Sequence, residues 1–593
     1  MKSLLCTLCA PFFLSIQSAD AVTSSQNATT AFSYNELTNP ASKDPKQWAK
    51  VKKVQIGWGS TDTRYKKEEP ALSTQKQLKL HGWRGERLSA QFVVSTPEEL
   101  PALTFELSDL KHTGDSKSLI AKDQLQSGFV RYVMTDELNK DKKGGCGLRP
   151  NTAAYDSSLV ADPIDHLTAS LDLEGCTTQG GWVTVAVPED CKPGRYVGTV
   201  KVSDANNELA TLKLELEVNK RTLPQPEAWS YHLDLWQNPY ATARIYNVEP
   251  FSEAHFEAMR PDMELYARAG GKSITTSIMH KPWNGQTYDH FESMVTWLKK
   301  ADGTWYYDYT VFDKWVEYMM GIGITKEITC YSLVPWHLSF QYFDQASNSF
   351  KSIQTKPGAP EFEQHWLGML QSFAKHLKEK GWFDITHISM DERPMEAMIE
   401  TMKVIRKADP DFKVSMAGVL HPEIEGDLDS YSIAMRYKWS EEQKAQRKEA
   451  GKVSTFYTCC EEAYPNTFTF SAPAESEWLG WFAANMELDG YLRWALNSWV
   501  KSPLQDSRFT AWAAGDTYMI YPGGRSSIRY ERLISGIQAY EKIRLLKEEY
   551  ARKNDQSSLR KLNKILAQFN EETLTKTPAE ETVRKANALL QQL

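Results

Sequence analysis

From residue 226 onward the chain carries eight short, apolar, β-rich runs, with helical patterns between the earlier ones. That alternation constrains the fold more than any other feature. The runs begin near Tyr231 (YHLDLWQ), Ser273 (SITTSIMH), Glu327 (EITCYSLV), Asp384 (DITHISMDE), Lys413 (KVSMAGV), Asp429 (DSYSIAM), Val453 (VSTFYTCC) and Gly490 (GYLRWALNSW). Helical periodicity covers Phe312 to Met320, Glu361 to Lys380 and Pro394 to Lys407. Eight strands alternating with helices specify a (β/α)8 barrel. Around the fifth to seventh runs the spacing is roughly 20 residues, short for a full crossover helix, so some outer helices are expected to be reduced or absent.

Upstream the grammar is different. From about Gln55 to Val218 short runs alternate with period two, as in Trp182-Val183-Thr184-Val185-Ala186-Val187 and Leu212-Lys213-Leu214-Glu215-Leu216-Glu217-Val218. Such alternation marks half-buried antiparallel strands and predicts a β-sandwich. The proline-bearing stretch Arg221-Thr222-Leu223-Pro224-Gln225-Pro226 separates the two parts. Behind the barrel, Glu531 to Tyr550, Lys561 to Phe569 and Pro578 to Leu593 read as helices whose charged faces predict solvated packing on the barrel. The expectation is a multi-domain β plus α/β chain. A β-sandwich over 22–220 is followed by a TIM-like barrel over 226–552 and a helical tail over 553–593. Fifteen of the 19 tryptophans lie from Trp229 onward, so the two parts serve different purposes.

The first 21 residues read as a cleaved export signal. Met1-Lys2 is a short charged start, Leu4 to Leu14 is apolar, and Ala19-Asp20-Ala21 places small residues where a signal peptidase reads. The apolar stretch is too short to span a bilayer, and no later stretch is long and apolar enough to do so. A periplasmic or extracellular location is expected. Removal of the signal leaves six cysteines, Cys146, Cys176, Cys191, Cys330, Cys459 and Cys460, with no zinc spacing. Export permits a disulfide among Cys146, Cys176 and Cys191; buried free thiols are the alternative. The net charge of −7, from 69 basic and 76 acidic residues, offers no electrostatic case for nucleic acid as a partner.

Barrel active sites gather at the C-terminal ends of the strands. The fourth run ends Met390-Asp391-Glu392-Arg393-Pro394. Two adjacent carboxylates there are either a charged helix start or a pair in which repulsion and partial burial raise one pKa to make a proton donor. The other strand ends are rich in sugar-binding groups: Trp236-Gln237-Asn238 on the first, His280 and Trp283 on the second, Pro335-Trp336-His337 on the third. Arg436-Tyr437 follows the sixth, Tyr457 lies on the seventh, and Trp494, Asn497 and Trp499 belong to the eighth. Flat aromatic faces suit the C–H faces of a pyranose, while amides and carboxylates take its hydroxyls. Any single Trp or His here has a packing role as its alternative. Gly270-Gly271-Lys272-Ser273 is no P-loop, because Tyr266 stands where the first glycine is required and the run precedes a strand. HExxH, GxSxG and GxGxxG are lacking, and no cofactor or catalytic metal is indicated.

With these features the sequence resembles glycoside hydrolase family 123, the β-N-acetylgalactosaminidases. The resemblance rests on a sandwich, a barrel and the Asp391-Glu392 pair closing the fourth strand. It also rests on Gly515-Asp516-Thr517-Tyr518-Met519-Ile520-Tyr521-Pro522-Gly523-Gly524 leading into Arg529-Tyr530-Glu531-Arg532-Leu533. It covers about Gln55 to Tyr550. One departure is Gln538-Ala539, where the family pattern leads one to expect an acidic pair. The resemblance implies a retaining mechanism assisted by the substrate's own acetamido group. Glu392 would protonate the glycosidic oxygen and later deprotonate water, while Asp391 would orient the 2-acetamido nitrogen. A tyrosine, Tyr457 or Tyr437, would hold the acetamido oxygen. Because successive strand side chains point to opposite faces, the segment must bend at Asp391 for both carboxylates to reach one sugar.

The sequence therefore predicts an exo-acting hydrolase releasing β-linked N-acetylgalactosamine from a glycan or glycoconjugate. A glycosidase of the same fold acting on another sugar, and a non-catalytic glycan-binding protein, are the alternatives.

Overall fold

The computed structural model describes residues 34–136, 146 and 157–593; the signal expected over residues 1–21 lies outside them. The N-terminal part is a β-sandwich. One antiparallel sheet orders the strands Gln55–Gly59, Arg87–Thr96, Thr177–Ala186, Leu125–Thr135 and Ser158–Asp165. The facing sheet is built on Gln77–Arg84, Glu208–Thr222, Gly194–Ser203 and Leu100–Leu107. Phe92, Val94, Phe129, Val183, Tyr196, Val200 and Leu214 interdigitate between the sheets, as the period-two pattern requires.

The barrel follows. Its strands are β1 (His232–Leu235), β2 (Ser273–Ser277), β3 (Glu327–Tyr331), β4 (Thr386–Met390), β5 (Lys413–Gly418), β6 (Ser430–Ala434), β7 (Val453–Tyr457) and β8 (Gly490–Arg493). All are parallel, paired in the order β1-β8-β7-β6-β5-β4-β3-β2. The helices α1 (Pro239–Tyr246) and α2 (Glu253–Arg268) follow β1, α3 (Thr310–Ile322) follows β2, α4 (Pro360–Lys380) follows β3 and α5 (Met395–Ala408) follows β4. Only a 3-10 turn at Glu425–Asp427 separates β5 from β6, and the nine-residue α6 (Glu441–Glu449) separates β6 from β7. The short sequence intervals had predicted this thinning. The long α7 (Pro473–Met486) and α8 (Ile528–Arg552) complete the ring.

The ring is nearly closed. β1 and β2 meet in a single isolated bridge, Leu233 to Gly271. Side chains replace the missing ladder bonds, as buried main-chain polar groups demand. The Gln237 amide accepts from Thr275 N (2.9 Å) and donates to Ser273 O (3.2 Å). The Tyr266 hydroxyl donates to Leu233 O and accepts from Ser273 N. Gln237 is therefore part of the barrel wall and not a sugar ligand.

Two features differ from the sequence reading. Residues 296–354 contribute a four-stranded sheet, Trp305–Asp308, Thr296–Lys299, Ser339–Asp344 and Ser349–Gln354, that covers Trp366 and His365 of α4. The polar face of α8 is buried, not solvated. Glu531 pairs with Arg87 (2.8 Å) and Arg532 with Asp62 (2.8 Å) of the sandwich. The Gln538 amide accepts from Arg87 N (2.7 Å) and donates to Arg87 O (2.8 Å), which no carboxylate can do. That gives the neutral residue at 538 a physical reason. Just before α8, Ser526–Ser527 adds a strand to the edge of the sandwich sheet beside Ser158–Asp165. Asp162 takes Arg64, Arg529 and the Tyr521 hydroxyl, and Asp165 takes Arg131 and Arg525. Sandwich and barrel are thus joined through buried ion pairs.

The one disulfide among the described residues joins Cys146 to Cys460. This corrects the expected choice among Cys146, Cys176 and Cys191: Cys176 and Cys191 are free thiols, and the partner of Cys146 lies on the barrel. Sequence separation of 314 residues hid the pairing.

Candidate active site

β4 stops at Met390 and the chain bends at Glu392, so neither carboxylate continues the strand's alternation. The following helix starts only at Met395, with Glu396 as the acid of its first turn. The helix-start explanation for Asp391-Glu392 therefore fails, and both side chains line one cavity of about 230 Å3 at the C-terminal end of the barrel. Such a volume is below the range of about 300–1,000 Å3 typical of drug-sized ligand sites and suits a single sugar ring.

Asp391 is held from two sides. Its Oδ2 accepts the indole N–H of Trp336 (2.8 Å) and its Oδ1 accepts the main-chain N–H of Glu392 (2.9 Å). Trp336 is in turn stacked by the Arg393 guanidinium at 4.1 Å, which donates to Val334 O and Glu392 O. Glu392 Oε1 accepts the hydroxyl of Tyr457. Burial pushes the Glu392 carboxyl above its ordinary pKa, the Asp391 charge adds to the rise, and the Tyr457 bond opposes it. The pair thus consists of one carboxylate fixed by N–H donors beside a second whose proton is retained to higher pH.

The walls come from several strand ends. Trp236 follows β1, Ala417 ends β5, Tyr457 ends β7 and Leu492 and Trp494 close β8. Trp236 is braced from behind by Trp283 (5.1 Å) and Tyr331 (4.5 Å). Trp494 meets Trp512 edge to face at 5.6 Å. Trp236, Tyr457 and Trp494 thus stand where the sequence placed them, at the cavity wall with Asp391 and Glu392.

The other expected site residues do not line it. Trp283 supports Trp236 from outside. His280 is turned to Glu292 (2.5 Å). Tyr437 lies under the Arg436 guanidinium at 5.0 Å. Asn497 is fully buried, its Oδ1 accepting from Asn238 N (2.8 Å), and so fastens the exit of β1. Trp499 is also fully buried and donates to Ile520 O (2.8 Å). These two are corrections with one cause: β8 ends at Arg493, and past Trp494 the chain at Asn497 and Trp499 folds back into packing. Trp336, named at the third strand end, also lines it; the wall residues not selected from the sequence are Gln286, Glu461, Trp512 and Asp516, together with Cys146, Cys459 and Cys460. They stand on loops, where strand periodicity is silent. The pointer available was the Gly515-Asp516 motif.

A larger cleft of about 1160 Å3 lies between the sandwich, α8 and the C-terminal helices, where several charges are paired across it, as in Lys542–Glu86 and Arg221–Glu549. Among the described residues no cluster of three His, Cys, Asp or Glu side chains has metal-binding geometry, and no helix is long and apolar enough to cross a membrane.

Comparison with known proteins agrees with the arrangement at the barrel end. The model of the glycoside hydrolase 123 catalytic domain matches residues 236–546, and that of the glycoside hydrolase 123 N-terminal domain matches residues 58–204. The chain belongs to glycoside hydrolase family 123. A family 123 glycoside hydrolase from Clostridium perfringens, solved to give the details of glycolipid glycan hydrolysis, superposes with a TM-score of 0.79 at 27% identity. The match covers 91% of this chain and 98% of that one. A family 39 glycoside hydrolase from Bacteroides cellulosilyticus WH2 aligns at 11% identity with a TM-score of 0.32, over 78% of this chain and 82% of that one, too distant to bear on the site. No curated protein matches. The family 123 protein described here is a glycoside hydrolase with the β-rich N-terminal domain and barrel of its family.

Proposed function

We propose that this enzyme is an exported, exo-acting, retaining β-N-acetylgalactosaminidase that works through the substrate's 2-acetamido group, with glycolipid glycans among its substrates. The observation that carries the reading is the adjacent Asp391 and Glu392 sharing one end of a cavity sized for one sugar. Double displacement with an enzyme nucleophile needs two carboxyls flanking the anomeric carbon, about 5–5.5 Å apart. Here the other wall carboxylates are each tied to an arginine: Glu461 to Arg436 (2.7 Å) and Asp516, through Oδ1, to Arg493 (2.5 Å). A nucleophile brought by the substrate removes that requirement.

In this mechanism the acetamido carbonyl oxygen attacks C1 while Glu392 gives its proton to the departing glycosidic oxygen. Asp391 accepts the acetamido N–H and balances the positive charge of the cyclic intermediate; Trp336 and the Glu392 N–H keep it aimed. Glu392, now anionic, takes a proton from water as that water opens the ring at C1, releasing the sugar with its β configuration and restoring the acid. Tyr457 holds Glu392 in the resting site and is the candidate for the acetamido oxygen once substrate enters. The Cys146–Cys460 disulfide supports an oxidising, exported setting. The glycolipid preference is supported by the Clostridium perfringens relative.

Purified enzyme should release aryl leaving groups from 2-acetamido-β-galactosides and not from 2-hydroxy sugars. Glu392→Gln should lower kcat/KM by about 10²–10⁴-fold with poor leaving groups and far less with strongly acidic phenols, because general acid help in the first step matters only where the leaving oxygen is basic. A loss that does not depend on the leaving group would remove Glu392 from the acid role.

A further inference from the structure

Asp516 is a buried carboxylate at the cavity wall that the mechanism above leaves unused. Its side chain is 1% exposed. Oδ1 is held by Arg493 Nη2 (2.5 Å) and faces the indole N–H of Trp494 (3.4 Å). Oδ2 is buried and makes no hydrogen bond. A buried acceptor oxygen left without a donor is costly, and a ligand that supplies the donor relieves the cost. The local backbone is built to hold it there. Gly515 has φ +76°, and a Cβ at that position would stand 2.5 Å from Thr469 Cγ2 and 2.9 Å from Thr469 N, so only glycine fits the turn that presents Asp516.

The topology says which end of a sugar Asp516 meets. β4 and β8 are four strands apart in an eight-stranded ring, on opposite sides of the barrel. Asp391 and Glu392 follow β4; Asp516 comes from the loop after β8 and shares the cavity wall with Trp494 and Trp512. With C1 at Glu392 and the acetamido group at Asp391, the ring atom directed to the far wall is C4, which lies across a pyranose from C1.

We propose that Asp516 Oδ2 accepts a hydrogen bond from the C4 hydroxyl of the bound sugar and thereby sets which C4 epimer the enzyme accepts. The assignment rests on the substrate orientation of the proposed function. Arg493 pairs the charge at Oδ1, but a sugar whose C4 hydroxyl is missing or points elsewhere leaves the buried Oδ2 without a donor. Discrimination built on an unpaired polar group is much steeper than discrimination by shape alone.

The test is a substrate-by-variant cycle. kcat/KM is measured for the wild type and Asp516→Asn on an aryl 2-acetamido-β-galactoside, its 4-deoxy and 6-deoxy analogues and its C4 epimer. The wild type should lose about 10- to 100-fold on removal of the C4 hydroxyl, and similarly on its inversion, with little loss for the 6-deoxy compound. In Asp516→Asn the parent reaction slows and the 4-deoxy penalty shrinks at least tenfold. A disturbed Arg493 contact would slow all substrates alike and leave the penalty intact. If the variant does not fold, the wild-type comparison of 4-deoxy with 6-deoxy decides. Equal rates on parent and 4-deoxy substrates, or the same penalty in both proteins, would overturn the assignment. Should the wild type cleave another aryl glycoside instead, the proposed function fails separately, and the same cycle is read on the 4-deoxy analogue of that substrate.

Discussion

Asp391 and Glu392 are chemically near-identical neighbours held in different surroundings. Asp391 accepts two N–H donors, from Trp336 and from the main chain. Glu392 is buried beside that fixed charge, and its carboxyl is pushed up in consequence. A carboxyl with a raised folded-state pKa holds its proton more tightly in the folded than in the unfolded chain. Its ionisation therefore costs stability, and the cost grows as pH rises from about 4.3, the unfolded value, through the folded value. Glu392→Gln should accordingly raise the unfolding temperature at pH 8 and give no gain at pH 4, as read by calorimetry in the two buffers. An equal shift at both pH values would mean that burial and the Asp391 charge do not act on Glu392 as described. At this scale the sequence disclosed the acid pair, because two carboxylates at the end of an apolar strand are hard to explain by packing. It did not separate Trp494, at the wall, from Asn497 and Trp499, in the core. That distinction depends on where β8 stops, and a run such as GYLRWALNSW remains apolar past its end.

Among the elements, the eight strands were legible because each is short, apolar and bounded by turn residues, and the thin outer layer around β5 to β7 was legible from spacing alone. The sheet inserted within 296–354 was not: its strands are four to six residues long and mix Trp, Lys, Tyr and Asp without a period. The burial of α8 was also hidden, since Arg529, Glu531 and Arg532 look like a solvated face until their partners in the sandwich are known. One contact governs how α8 sits. α7 and α8 cross backbone to backbone at Gly480 and Gly536, where a Cβ on Gly480 would be 2.2 Å from Gly536 C and one on Gly536 would be 2.5 Å from Glu477 O. Alanine ordinarily gains about 1 kcal/mol over glycine inside a helix. Here the overpacking term, typically about 1–3 kcal/mol and larger against backbone, outweighs it. Gly536→Ala should lower stability in denaturant titrations, and a variant more stable than wild type would contradict the close crossing.

For the molecule as a whole, the sandwich is not an appended module. It supplies Arg87, Asp62, Asp162 and Asp165 to buried contacts with α8 and the segment before it, and Cys146 to the rim of the active site. Removing one member of such a network leaves a buried charge unpaired, the expensive kind of defect. The covalent link makes a countable prediction. With the proposed signal removed, denatured enzyme should titrate four thiols before reduction, Cys176, Cys191, Cys330 and Cys459, and six after it. Six both before and after reduction would mean that Cys146 and Cys460 are not joined; six before and eight after would mean that Cys6 and Cys9, and with them the signal, are retained.

The central claim is that the nucleophile belongs to the substrate. It is tested most directly by kcat/KM for aryl β-galactosaminides whose N-acyl group carries zero, one, two or three fluorine atoms. Each fluorine weakens the carbonyl oxygen as a nucleophile while leaving the leaving group and the C4 hydroxyl unchanged. Participation of the acetamido group predicts a steep, graded fall along the series, with the trifluoroacetyl compound the slowest. A flat series would contradict the account and return the search to a nucleophile on the protein.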